Sequence, residues 1–224
     1  MRIYKVIAEI DWVVNFKKEF NINNVQFYSE ESKMYAKVEF QETDFRNAQF
    51  KSFNLFQSAC GALSHLERYI IKFRIVRVHE IDSMGEKQIP IQNITASRHI
   101  EKEIDTEVLN KAKEIQNLAS KYPVLSQYLD FMLYSDYYTW ITLYKVYELI
   151  NRDVGNVKNI GWITKKQRDR FTNTANNPAA SGFGSRHAVS STEPPSEPMD
   201  IDEAADFIKG LVDKWLNYYQ QKED

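Results

Sequence analysis

RYIIKFRIVRVHEIDSMGEKQIPIQNITASRHIEKEIDTEVLNKAKEIQNLASKY, residues 68–122, contains the change of period that decides the fold. Its first part, residues 68–78, is a run of β-branched and aromatic residues that reads as a strand. Residues 83–96, with Gly85 and Pro90, interrupt the pattern and read as a loop or linker. Beyond it Ile104, Val108, Leu109, Ala112, Ile115 and Leu118 recur at helical spacing, an apolar stripe expected between Ile100 and Tyr122. The period changes from two to 3.6 near Ser97. Strands should precede that point and helices follow it, which is an α+β chain.

Working back from residue 68, Ile3, Val6, Ala8 and Ile10 mark a first strand ending near Trp12. Residues 25–28 and 34–40 form a predicted hairpin about residues 29–33. Thr43 or Asp44 is placed to cap a helix through Phe45, Phe53, Phe56, Ala59 and Leu63, with a break at Gly61. Residues 1–90 are therefore expected to be a small α+β domain, one sheet with one helix. Working forward, residues 97–224 are expected to be an all-α helical bundle. Pro123 starts a helix carrying Val124, Leu125, Tyr128, Leu129, Met132 and Leu133, and residues 137–150 form the most apolar one. Thr164 caps a shorter helix through Phe171. Asp200 or Asp202 opens the last one, whose apolar face holds Ala205, Ile208, Leu211, Val212, Trp215 and Leu216. Residues 177–199 make a long Gly/Pro-rich loop between them.

With 43% apolar and 13% aromatic residues in 224, the chain has enough material for real cores. A formal charge of −2 gives no global positive field, so an anionic partner must meet a local patch. The lone Cys60 excludes an internal disulfide and reads as a small buried hydrophobe. His65, His79, His99 and His187 show no metal-ligand spacing, so neither metal nor cofactor is expected. Phosphate-loop, dinucleotide and esterase motifs do not occur. The N-terminal apolar run is interrupted by Lys5, Glu9 and Asp11, and no run approaches the about 18 apolar residues of a membrane span. A cytoplasmic protein with no membrane partner is expected.

Positive charge concentrates in one place. Between Lys158 and His187 stand six basic residues, Lys158, Lys165, Lys166, Arg168, Arg170 and Arg186, against the single acid Asp169. Lys165, Lys166, Arg168 and Arg170 fall within two helical turns and suit phosphate contacts, as does an inert solvated face. Arg186 and His187 follow Gly182 and Gly184 and combine a permanent cation with a group that moves protons near neutral pH. That pair suits phosphodiester chemistry, Arg186 binding phosphate and His187 carrying the proton. An ordinary loop also carries such a pair, the Arg paired with a Glu or Asp of the final helix and the His capping a backbone carbonyl. Thr174 and Asn176, in a run of short polar residues, either orient His187 and touch substrate or form turns. Tyr128, Tyr134, Tyr137, Tyr138, Tyr144 and Tyr147, with Trp140, read first as core or dimer interface.

Residues 138–150 (YTWITLYKVYELI), then Arg170-Phe171-Thr172-Asn173-Thr174-Ala175-Asn176, then Arg186-His187 and a closing acidic helix resemble a group of small bacterial proteins. More distantly they resemble the helical HEPN domains. The resemblance covers about residues 98–220 and leaves the N-terminal sheet outside it. It implies a helical bundle, often dimeric, with metal-independent ribonuclease activity of the toxin or antiphage-defence kind. The usual motif of those domains separates Arg from His by several positions, whereas here His187 follows Arg186 directly and Ser191 stands five residues on. The spaced pair Arg74 and His79 lies in a predicted strand. Only Arg186 and His187 carry over, as phosphate binder and proton carrier. The expected function is RNA cleavage or binding in a bacterial defence system. The alternative is a dimeric, non-enzymatic interaction or regulatory protein whose N-terminal sheet grips a protein partner.

Overall fold

The structure is a computed structural model, and it describes residues 2–11, 14–16, 19–31, 33–67, 71–89, 100–102, 105–133, 138–190 and 192–223. The readings placed on Trp12, residues 68–70, residues 90–99 with Arg98 and His99, Ile104, Tyr134, Tyr137 and Ser191 lie outside the described residues. The chain divides into two compact units, Met1–Leu133 and Tyr134–Asp224.

The first unit has β1 (Arg2–Asp11), β2 (Val14–Phe16), β3 (Phe20–Ile22), β4 (Val25–Glu30), β5 (Lys33–Glu42), α1 (Phe45–Glu67), β6 (Lys72–Asp82), β7 (Gly85–Ile89), β8 (Ile100–Lys102), α2 (Thr106–Lys121) and α3 (Pro123–Met132). Six strands form one antiparallel sheet in the order β3-β4-β5-β1-β6-β7, and β2 pairs with β8 in parallel. Alternation decides the faces. Val6 of the central strand lies opposite Val38 and Val78, and with Tyr4, Ala8, Ile10, Met34 and Ala36 these side chains are buried. Phe56, Ala59, Cys60 and Leu63 of α1 are buried too, and α1 packs on β1, β4, β5 and β6. As expected, Cys60 is a small buried hydrophobe, and burial pushes its thiol pKa up.

The alternate positions carry charge. Glu9 holds Arg74 at 2.9 Å and Lys33 at 3.3 Å, while Glu86 takes Lys5 at 2.9 Å and His79 at 2.8 Å. The hydrogen bond from Lys5 holds the Glu86 carboxyl below the usual carboxylate range. Arg74 and His79, the spaced Arg/His pair, are thus both in β6 and each engaged with a glutamate.

Several expectations are corrected. The 83–96 stretch is not all linker: β7 folds back on β6 through a turn in which the Asp82 carboxylate accepts from Met84 N at 2.7 Å. Gly85 sits there at φ 125°, where a side chain would be strained. β7 reads GEKQI, a hydrophilic edge strand without the apolar alternation that reveals a strand. Residues 100–102, expected in a helix, are strand β8, and α2 starts only at Thr106, where the Asp105 carboxylate accepts from Glu107 N at 2.8 Å. The expected break at Gly61 is absent, since α1 runs unbroken from its cap at Asp44, which accepts from Asn47 N at 3.0 Å.

Gly61 has another use. A Cβ there would stand 2.9 Å from both Cβ and carbonyl O of Leu129, so the missing side chain sets how closely α1 approaches α3. Gly61→Ala should destabilise the unit by about 1–3 kcal/mol through overpacking, despite Ala's better helix propensity. A thermal melt unchanged by the substitution would refute that. This contact also moves the boundary. Because α2 and α3 pack on α1, and α2 on β3, they belong to the first unit, which runs to Leu133 instead of ending near residue 90.

The second unit holds α4 (Trp140–Val154), α5 (Lys165–Asn176), α6 (Pro178–Ser181), a single 3₁₀ turn at Gly182–Gly184, and α7 (Ile201–Glu223). Its regular elements among the described residues are all helices, so the α+β class holds for the chain. The predicted caps form: Thr164 and Gln167 make a reciprocal capping box, and Asp200 accepts from Glu203 N at 2.7 Å. α5 runs on past Phe171 to Asn176. Asp153 near the end of α4 fastens α7, accepting from Trp215 Nε1 at 2.6 Å and Tyr219 OH at 2.8 Å. Phe171 is fully buried, with Trp140, Tyr144, Tyr147 and Phe207 around its ring. Among the described residues no helix is long and apolar enough to cross a membrane.

Candidate functional site

The 177–199 segment begins with α6 and the 3₁₀ turn and is irregular only afterwards. Gly182 at φ 64° lets the chain double back toward α5. There the end of α5 receives it: Ala175 O accepts from Arg186 N at 2.8 Å and from Ser185 Oγ at 3.3 Å. A helix leaves its last carbonyls without partners, and these bonds use one of them. Arg186 is thereby fixed at its backbone while its side chain stays on the surface.

The guanidinium lies over the Tyr144 ring, 4.2 Å from its centre, and Nη2 meets Glu148 Oε1 at 3.0 Å. Nη1 reaches His187 Nε2 at 3.3 Å and Asn176 Oδ1 at 3.5 Å. A guanidinium only donates, so a hydrogen bond in this contact is accepted by the His187 Nε2 lone pair. Arg186 and His187 are both exposed, as is Glu148. Such an exposed ion pair is worth about 0–1 kcal/mol, and a phosphate can displace it. Tyr144 in turn stacks on Phe171, with ring centres 6.0 Å apart, so the ledge rests on the core of the unit.

The remaining sequence candidates separate. Asn176 joins the ledge. Thr174 does not: it is fully buried, its Oγ1 donates to Arg170 O at 2.8 Å and accepts from Met199 N at 3.2 Å. It fastens the start of the closing helix. Arg170 is also structural, forked onto Glu203 and donating to the carbonyls of Glu197 and Pro198. Arg168 pairs with its neighbour Asp169. Only Lys165 and Lys166 of that cluster stay exposed without an ion pair to a described residue, in the first turn of α5. Cations there oppose the helix dipole, so the positive ends of helix and side chains add.

No protein family, curated protein or solved structure matches this chain. The reading of the ledge therefore stands on its geometry. Among the described residues no three His, Cys, Asp or Glu side chains gather where they would hold a metal ion. Sequence reasoning missed Tyr144 and Glu148 as site residues. Their signal was present: Glu148 is the only acid between Trp140 and Ile150, one helical turn beyond Tyr144.

Proposed function

We propose that the Arg186–His187 ledge binds RNA and cleaves it by attack of the 2′-hydroxyl on the adjacent phosphate. What carries the reading is the convergence of a permanent cation and an imidazole lone pair within 3.3 Å on an exposed surface. Arg186 takes the phosphate and stabilises the charge that grows on its oxygens. His187 accepts the 2′-hydroxyl proton and returns it to the departing 5′ oxygen, which leaves a cyclic phosphate. Lys165 and Lys166 supply salt-sensitive attraction for the flanking backbone. A metal-independent ribonuclease of a bacterial defence or toxin system, cytoplasmic and dimeric, is the setting that the HEPN-like resemblance supports.

The second reading is a dimeric interaction or regulatory protein without catalysis, and the Arg186–Glu148 pair is the observation that favours it. The two readings divide on Glu148. If Arg186 serves phosphate, Glu148 competes with it, and Glu148→Gln should tighten RNA binding by up to about fivefold at low salt, the equivalent of about 1 kcal/mol. Fluorescence anisotropy with a short labelled RNA measures this. Unchanged or weaker binding would place Arg186 in a purely structural pair.

A further inference from the structure

The first unit contains a cleft of about 920 Å³ between α1, α2, α3 and the β3–β4 turn, a size that suits a small molecule. Side-chain amides crowd its lining, among them Asn23, Asn54, Gln57, Gln116 and Asn117. The turn aims one of them inward. Asn23 adopts φ 47°, which Asn tolerates better than most residues, and its Nδ2 donates to Gln116 Oε1 at 2.7 Å and Asn117 Oδ1 at 2.8 Å. The Nδ2 group of Asn117 and the whole Asn54 amide have no partner among the described residues.

Charge in the cleft is scarce. The ammonium of Lys51 is turned to the Phe40 ring at 4.8 Å and to Glu42 at 3.8 Å, so among the described lining residues no cation stands free for a phosphate. Asp130 is the one acid among the described lining residues. Its carboxylate accepts a single side-chain hydrogen bond from a described residue, that of Gln57 Nε2 on Oδ1, which leaves further acceptor capacity on a residue that lines the cleft. Partial burial raises its carboxyl above the usual range, against the opposing effect of Gln57. Leu55, Pro123 and Leu129 supply apolar wall beside these polar groups. Apolar faces with a polar rim suit a flat ring whose edge carries the hydrogen-bonding groups. Amide side chains read such edges by paired donor and acceptor.

We infer that this cleft binds an uncharged nucleoside whose base offers adjacent N–H donors, as guanine does, to the Asp130 carboxylate. The site lies wholly within the first unit and does not rest on the RNA-cleavage reading, so the two fail separately. The test is calorimetric titration of the full chain with guanosine, adenosine and sorbitol. Saturable guanosine binding should appear, at least about tenfold tighter than adenosine, since a bidentate pair discriminates by that order. Asp130→Asn, which replaces acceptor by donor at equal size, should lose about tenfold for guanosine. Ser126→Trp, on the exposed rim, should abolish binding by filling the cleft. Guanosine should also raise the melting temperature of the unmodified chain, a readout that needs no variant. No saturation at millimolar guanosine, equal binding of adenosine or sorbitol, or full binding in both folded variants would overturn the assignment.

Discussion

Replacing His187 by Ala should lower RNA cleavage by about 10²–10⁴-fold, the usual cost of losing a positioned proton carrier. Binding should change little, because His187 carries no obligatory charge while Arg186, Lys165 and Lys166 remain. Products of the unmodified protein should end in cyclic phosphate, and chelators should not slow their formation. Arg186→Ala should weaken both binding and turnover, since it would take away the proposed phosphate contact and uncover Tyr144. The measurement is single-turnover cleavage of a labelled RNA by the three proteins, with and without chelator. No cleavage by well-folded protein, or full activity in His187→Ala, removes the nuclease reading and leaves the interaction protein.

The second large effect concerns stability. Phe171→Ala should cost the C-terminal unit about 3–5 kcal/mol, as truncation of a fully buried aromatic leaves a cavity. Domains are stable by only about 5–15 kcal/mol, so much of the margin is lost. Trp140, Trp162 and Trp215 all lie in this unit, and their fluorescence in a urea titration reports its unfolding. A midpoint shifted by less than about 1 kcal/mol equivalent would show that the ring cluster about Phe171 packs loosely. Tyr144 stacks on Phe171 as well as on Arg186, so the same change should loosen the ledge in molecules that remain folded.

What could be read in the residues depended on amphipathicity. α1, α2, α4 and α7 were visible because each buries one apolar stripe, α5 because of its cap, and Thr164 and Asp200 were visible as caps because their side chains act on neighbours three residues away. β3 and β7 were not: one has three residues, and the other is an edge whose partners on β6 supply its order. The Asn23-Asn24 turn between Ile22 and Val25 was a usable hairpin signal that went unread. The place of α2 and α3 was not legible because an amphipathic stripe says that a face is buried without saying against what. Gly61, read as a breaker, is the residue that answers that question.

Arg186 and His187 were legible as neighbours in sequence, whereas Tyr144 and Glu148, about forty positions away, required the fold to bring them in. The basic cluster misled for a related reason. Counting cations cannot tell a phosphate ligand from a strut, and Arg170 is a strut, clamped on Glu203 and two carbonyls. Thr174 is another, fully buried and tied to the segment that leads into α7.

The six-stranded sheet ends in β3, only three residues long, and in β7, which presents Glu86 and Lys87. An open edge is a template on which another chain can add a strand, and short or charged edges frustrate that addition. Margins of this kind work against ribbon-like self-association. Any protein that docks on this sheet has to recognise the charged and tyrosine-bearing surface of its strands, with their alternating glutamates and arginines, because the backbone at either margin offers little to copy. Specificity would then be written in side chains, which mutation can retune one at a time without reopening the path to fibres.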